Sequence, residues 1–86
     1  MDPYKVVKYP LSTEKSIRLM ESENKLIFIV DRNANKQDIK KAIEKIYKVK
    51  VAKVSTLNDF NGRKRAYIKL NAETPAIDLA TELGLM

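Results

Sequence analysis

Apolar residues recur along the chain with two periods, near two and near three and a half, and the changes between them lay out the elements. Residues 4–7 predict a short strand that Pro10 ends, since its ring removes a ladder donor. Ser12 or Thr13 can cap a helix over residues 13–20, with Glu14 in the first turn and Ile17 and Met20 on one face. Residues 21–24 read as a polar turn. Residues 25–31 form the clearest strand, and it is apolar on both faces, which predicts a central position covered on both sides. Residues 33–35 read as a loop. Asn35 then caps a helix, with Asp38 placed for a capping box and Ile39, Ala42, Ile43 and Ile46 as its buried stripe. The next strand, over residues 49–57, is rich in β-branched residues. Its alternation slips at Val51, Ala52 and Val54, the mark of a bulge or of a two-sided strand. Residues 58–62 make a turn. A last strand over residues 65–70 sets Ala66, Ile68 and Leu70 against Arg65, Tyr67 and Lys69. Thr74-Pro75 opens a final helix with proline at its first position, a stripe of Ile77, Ala80 and Leu83, and Gly84 as terminator.

The order β-α-β-α-β-β-α contains a strand–helix–strand crossover followed by a hairpin. The crossover leaves a gap that the hairpin's return strand can fill. The expected fold is therefore an α+β sandwich of the split-βαβ type, related to the ferredoxin-like fold, in a single domain over residues 1–86. No apolar run is long enough to span a bilayer, and the first ten residues lack a signal peptide's apolar stretch, so the expected place is the cytoplasm.

Charge sharpens the picture. The net charge of +6 is gathered in the middle of the chain: residues 32–69 hold twelve basic side chains against three acidic ones. Concentrated positive charge is the usual footprint of a nucleic-acid binder. With its isoleucines inward, the long helix must turn Lys36, Lys40, Lys41, Lys45 and Lys48 outward or to its flanks, and Glu44 can pair with Lys48. The ordinary alternative for any one of these lysines is a solvated stem lying along the sheet edge. Arg63, Lys64 and Arg65 add a second basic cluster at the hairpin, beside Asn58 and Phe60. Phe60 either stacks on an unpaired base or folds back over the hairpin.

Enzyme chemistry is not indicated. The chain has no histidine or cysteine and two glycines, so thiolate catalysis, a Gly-rich phosphate loop and metal-ligand spacing are all missing, and no cofactor is expected. A small acylphosphatase of like topology would need a phosphate cradle that this sequence lacks.

PLSTEKS (residues 10–16), FIVDRNANKQDIKKAIEKIYKVKVAKVSTLN (residues 28–58) and GRKRAYIKL (residues 62–70) together resemble the large-subunit ribosomal protein family numbered twenty-three, at the rim of the polypeptide exit tunnel. The resemblance covers nearly the whole chain. It implies a small α+β domain with an antiparallel sheet in order 1-2-4-3, binding to large-subunit rRNA without enzymatic activity, neighbouring ribosomal proteins, and a share in docking the signal recognition particle. It implies rRNA contacts at Thr13 and Lys15 and at Asn35, Lys36 and Lys40. From the basic surface itself come Lys41, Asn58, Phe60, Arg63, Lys64 and Arg65. Glu14 matches the acidic position at which bacterial members engage the trigger-factor chaperone; here it faces the signal recognition particle or serves only the helix dipole. The connection over residues 58–64 is shorter than in bacterial members, as it is in archaeal and eukaryotic ones, and the N-terminus lacks the long basic extension of eukaryotic members, so the resemblance suggests the archaeal form. The rival functions are a general nucleic-acid-binding module and an RNA-independent protein adaptor.

Overall fold

The computed structural model describes residues 2–59 and 61–84. Its elements are α1 (Pro3–Val6), β1 (Val7–Pro10), α2 (Glu14–Glu23), β2 (Lys25–Val30), α3 (Lys36–Tyr47), β3 (Val51–Asn58), β4 (Lys64–Leu70) and α4 (Ala76–Glu82). The four strands form one sheet in order β1-β2-β4-β3, with every neighbouring pair antiparallel. Because β4 separates β2 from β3, the crossover through α3 joins two parallel strands that do not touch, and the expected split-βαβ sandwich is what forms.

The chain start differs from the expected strand over residues 4–7. Asp2 accepts a hydrogen bond from the Tyr4 amide at 3.0 Å and Pro3 occupies the first helical turn, so residues 3–6 close a helical turn before β1 begins. Pro10 is the last residue of β1, an edge strand where a missing donor is tolerated. Thr13 caps α2 through a reciprocal capping box with Ser16. That helix runs to Glu23, so most of the expected turn over residues 21–24 is its last turn. Asn35 and Asp38 form the second capping box, as expected. Glu44 does not pair with Lys48; its carboxylate accepts from the Val51 amide at 3.2 Å and anchors the start of β3. The slip in β3 is a bulge: the register shifts between Val51 and Lys53, leaving Ala52 exposed.

The expected stripe of α4 holds at Ala80 and at Leu83, which packs on the core, and fails at Ile77. Pro75 is the N-cap rather than the first helical residue, and Ala76, Leu79 and Ala80 are the buried positions while Ile77 is 44% exposed. The cause is Asn24. It takes a left-handed conformation (φ 56°) at the end of α2, and its Oδ1 accepts from the Ala76 amide at 2.6 Å, replacing the cap that proline cannot supply. Its Nδ2 donates to the carbonyls of Leu70, Asn71 and Thr74 at 3.2–3.3 Å. One side chain thus ties the α2–β2 junction to the end of β4 and the start of α4.

The core lies on one side of the sheet. Leu26, Phe28 and Val30 of β2, with Ala66, Ile68 and Leu70 of β4, meet Val6, Met20, Ile39, Ala42, Ile43, Leu79 and Ala80 from the four helices. Ile27 and Ile29 point the other way, outside that cluster, yet are 2% and 3% exposed. β2 is central and buried on both sides, but the expected two-sided cover is corrected: helices pack on one face, and side chains of neighbouring strands close the other.

Replacing Asn24 by alanine should cost about 2–4 kcal/mol, from the left-handed backbone and the lost hydrogen bonds. Asn24→Gly should cost less, because it relieves the backbone part alone. Urea unfolding with an unchanged m-value checks both; an Asn24→Ala loss below about 1 kcal/mol would show that the node is not structural.

Candidate nucleic-acid interface

Two loops meet at one end of the sheet. In loop 31–35, Asp31 accepts through its side chain from the Asn33 amide at 2.9 Å and through its carbonyl from the Ala34 amide at 3.1 Å. In hairpin 59–63, the Asp59 amide donates to the Arg63 carbonyl at 2.7 Å, and Gly62 takes a positive φ of 82° that closes the turn. Lys64 joins the loops, its Nζ donating to the Ala34 carbonyl at 2.6 Å. Arg32, Asn33, Asn58, Asp59 and Gly62 line an open concavity between them. Exposed Asn35, Lys36 and Lys40 at the head of α3 and exposed Arg63 on the hairpin add to the same end.

The other expected contact residues divide into three situations. Lys41 is exposed, but together with Lys45 it lies on the other flank of α3, along a groove with Pro3, Asp38 and Ala42; 3.6 residues per turn separate this pair from Lys36 and Lys40. Lys64 is half-buried and held by Ala34, so it shapes the loop cluster more than it offers a free charge. Arg65 is also half-buried. Its Nη2 pairs with Asp59 at 3.1 Å, while its Nε is buried without a partner among the described residues. Thr13 and Asn35 each spend a side-chain oxygen on a helix cap, at 3.2 Å and 2.8 Å, and Asn35 keeps its amide NH2 for an outside acceptor. Phe60 lies outside the described residues. Glu14 is exposed in the first turn of α2.

A second basic surface escaped the sequence reading. On the helix-free face of the sheet, Lys15 reaches from α2 to put its Nζ 5.8 Å from the centroid of the Tyr67 ring. Arg63 donates to the Tyr9 hydroxyl at 3.1 Å. The alternation of β4 already placed Arg65, Tyr67 and Lys69 on one face. The approach of Lys15 and Tyr9 depends on tertiary placement and has no local signal. Among the described residues, no cluster of three or more potential metal ligands occurs, and no helix is long and apolar enough to cross a membrane.

Arginine and lysine are gathered at two joined loops of this small α+β fold, a charge distribution common among nucleic-acid-binding proteins. The sequence pattern of the family Ribosomal protein L23 matches residues 5–76, and the chain belongs to that family. It is 48% identical over 85 residues to "Large ribosomal subunit protein uL23" of Trypanosoma brucei brucei, an alignment covering 99% of this chain and 52% of the relative. It is 46% identical over 86 residues to the protein of the same name from Tetrahymena thermophila, covering all of this chain and 57% of the relative. The chain therefore spans about half the length of the curated relatives it matches. These relatives are ribosomal proteins and not enzymes, in keeping with the sequence reading. Both are eukaryotic, and the expectation of an archaeal form is not borne out by them.

Lys64→Met should free loop 31–35 from the hairpin. The expected result is faster hydrogen exchange at the Ala34 amide and a stability loss of about 1–2 kcal/mol. Unchanged exchange at Ala34 would show that the loop holds itself.

Proposed function

We propose that the chain is a structural constituent of the large ribosomal subunit, working in the cytoplasm with the ribosome, and that it binds large-subunit rRNA near the polypeptide exit tunnel. In this reading it sits as a monomer among neighbouring ribosomal proteins and helps form the docking site for the signal recognition particle, with exposed Glu14 on the docking side. Family membership supports the ribosomal setting. The observation that carries the RNA contact is the junction of the two loops by Lys64, which holds the Arg32, Lys36 and Arg63 segments at one end of the sheet. A rigid frame lowers the ordering cost of binding. The cations neutralise phosphates and release counterions, while Asn35 and Asn58 can bond unpaired bases or ribose hydroxyls. Thr13 and Lys15 add contacts from the head of α2.

Affinity for large-subunit rRNA should exceed that for a random structured RNA of equal length and should fall steeply as salt rises. In the triple variant Lys36→Ala/Lys40→Ala/Arg63→Ala the slope of log affinity against log salt should flatten by about 2–3. Equal binding to both RNAs would favour a general nucleic-acid module; binding to a ribosomal partner that persists without RNA and at moderate salt would favour the adaptor.

A further inference from the structure

The helix-free face of the sheet carries charge that the loop cluster does not explain. Lys25 on β2 lies directly opposite Lys69 on β4, and Lys69 lies directly opposite Lys53 on β3, so three lysines stand abreast across three strands. Like charges directly opposite one another destabilise a sheet. Glu23 compensates Lys25 at 3.4 Å, while Lys53 and Lys69 are exposed and, among the described residues, have no acidic partner within ion-pair distance. The next row along the face is Ile27, Tyr67 and Ser55. Tyr67 thus sits beside the lysine row with Lys15 Nζ near its ring. No acidic residue occupies this face of β2, β3 or β4.

We propose that this face is a second RNA-binding surface, taking an unpaired segment whose phosphates run along the Lys25–Lys69–Lys53 row and one of whose bases stacks on Tyr67. The proposal rests on the RNA-binding reading above and extends it to a surface distinct from the loop cluster. Charge complementarity selects the occupant, because unpartnered lysines opposite one another on neighbouring strands are relieved by a polyanion. The aromatic ring selects an unpaired strand over a duplex, since duplex bases expose no face to stack on. An entering base takes the place of Lys15 over the ring, and the lysine moves to the adjoining phosphate.

The test uses the full chain with two probes, large-subunit rRNA and a short oligouridylate. The variants are Lys53→Ser/Lys69→Ser, Tyr67→Leu, and Tyr67→Phe as the conservative form. The lysine variant should flatten the oligouridylate salt slope by about 1.4 while raising the urea midpoint, because it relieves the like-charged row. Weaker binding by a more stable protein excludes unfolding as the cause. Tyr67→Leu should weaken oligouridylate binding about 5- to 150-fold, and Tyr67→Phe should restore it. An unchanged slope in the lysine variant, with the loop triple variant still losing rRNA affinity, would overturn this proposal and leave the ribosomal function standing. Sensitivity of oligouridylate binding to these variants without any wild-type preference for rRNA would support the surface and overturn the ribosomal reading. Failure of the wild type to bind either RNA would overturn both.

Discussion

β2 is apolar on both faces, yet the helices cover one face alone, and most of the surface chemistry follows from that mismatch. Burying an isoleucine contributes about 1.5–3 kcal/mol, so Ile27 and Ile29 must be covered by something. Their register partners are Tyr67, Arg65 and Tyr9, side chains with apolar bodies and polar ends. The cover of the second face is thus amphipathic by necessity. It turns hydroxyls and cations to the outside of a surface whose inner layer is dry. A second helical layer would have buried the same isoleucines and removed that surface.

Two polar contacts hold the one-sided fold in register. Asn24 fixes the end of α2, the last residues of β4 and the first turn of α4, through a side chain whose donors and acceptor are all used. Lys64 fixes the opposite end, where loop 31–35 meets the hairpin. The sheet lies between these ties. Of the expected RNA contacts, Asn35, Lys36, Lys40, Asn58 and Arg63 lie toward the Lys64 end, Lys15 reaches the helix-free face, and Lys41 lies apart on another flank of α3. Packing alone would leave the loops free. Membership of the Ribosomal protein L23 family sets this arrangement among ribosomal proteins.

Part of this was readable from the chain. The stripe Ile39, Ala42, Ile43 and the alternation of β4 follow directly from helical and strand periods, and the Asn35–Asp38 capping box comes from a polar residue three positions ahead of its partner. For α2 the cap at Thr13 is legible but its box with Ser16 is not. The split-βαβ fold class follows from the same element order. The first strand was misplaced because Asp2 and Pro3 start a helical turn that a short apolar run does not reveal. Of the expected α4 stripe, Ala80 is buried and Leu83 packs on the core, while Ile77 is exposed, because the start of the helix is fixed by Asn24, more than fifty residues away in sequence. Among the expected RNA contacts, Lys36, Lys40 and Arg63 are exposed toward the loop end of the sheet. Lys41 falls on another flank, and Lys64 and Arg65 are bound within the protein.

Sequence by itself determined most of the helices and strands, the apolar sides of α3 and β4, and that the positive charge lies in the middle of the chain. Those are local properties, governed by side-chain period and composition. Tertiary structure decided which cations stand free and which are engaged, that Lys25, Lys69 and Lys53 share a row, and that Lys15 reaches Tyr67. These depend on strand order and register, which are fixed by contacts between residues distant in the chain and leave no periodic trace in it.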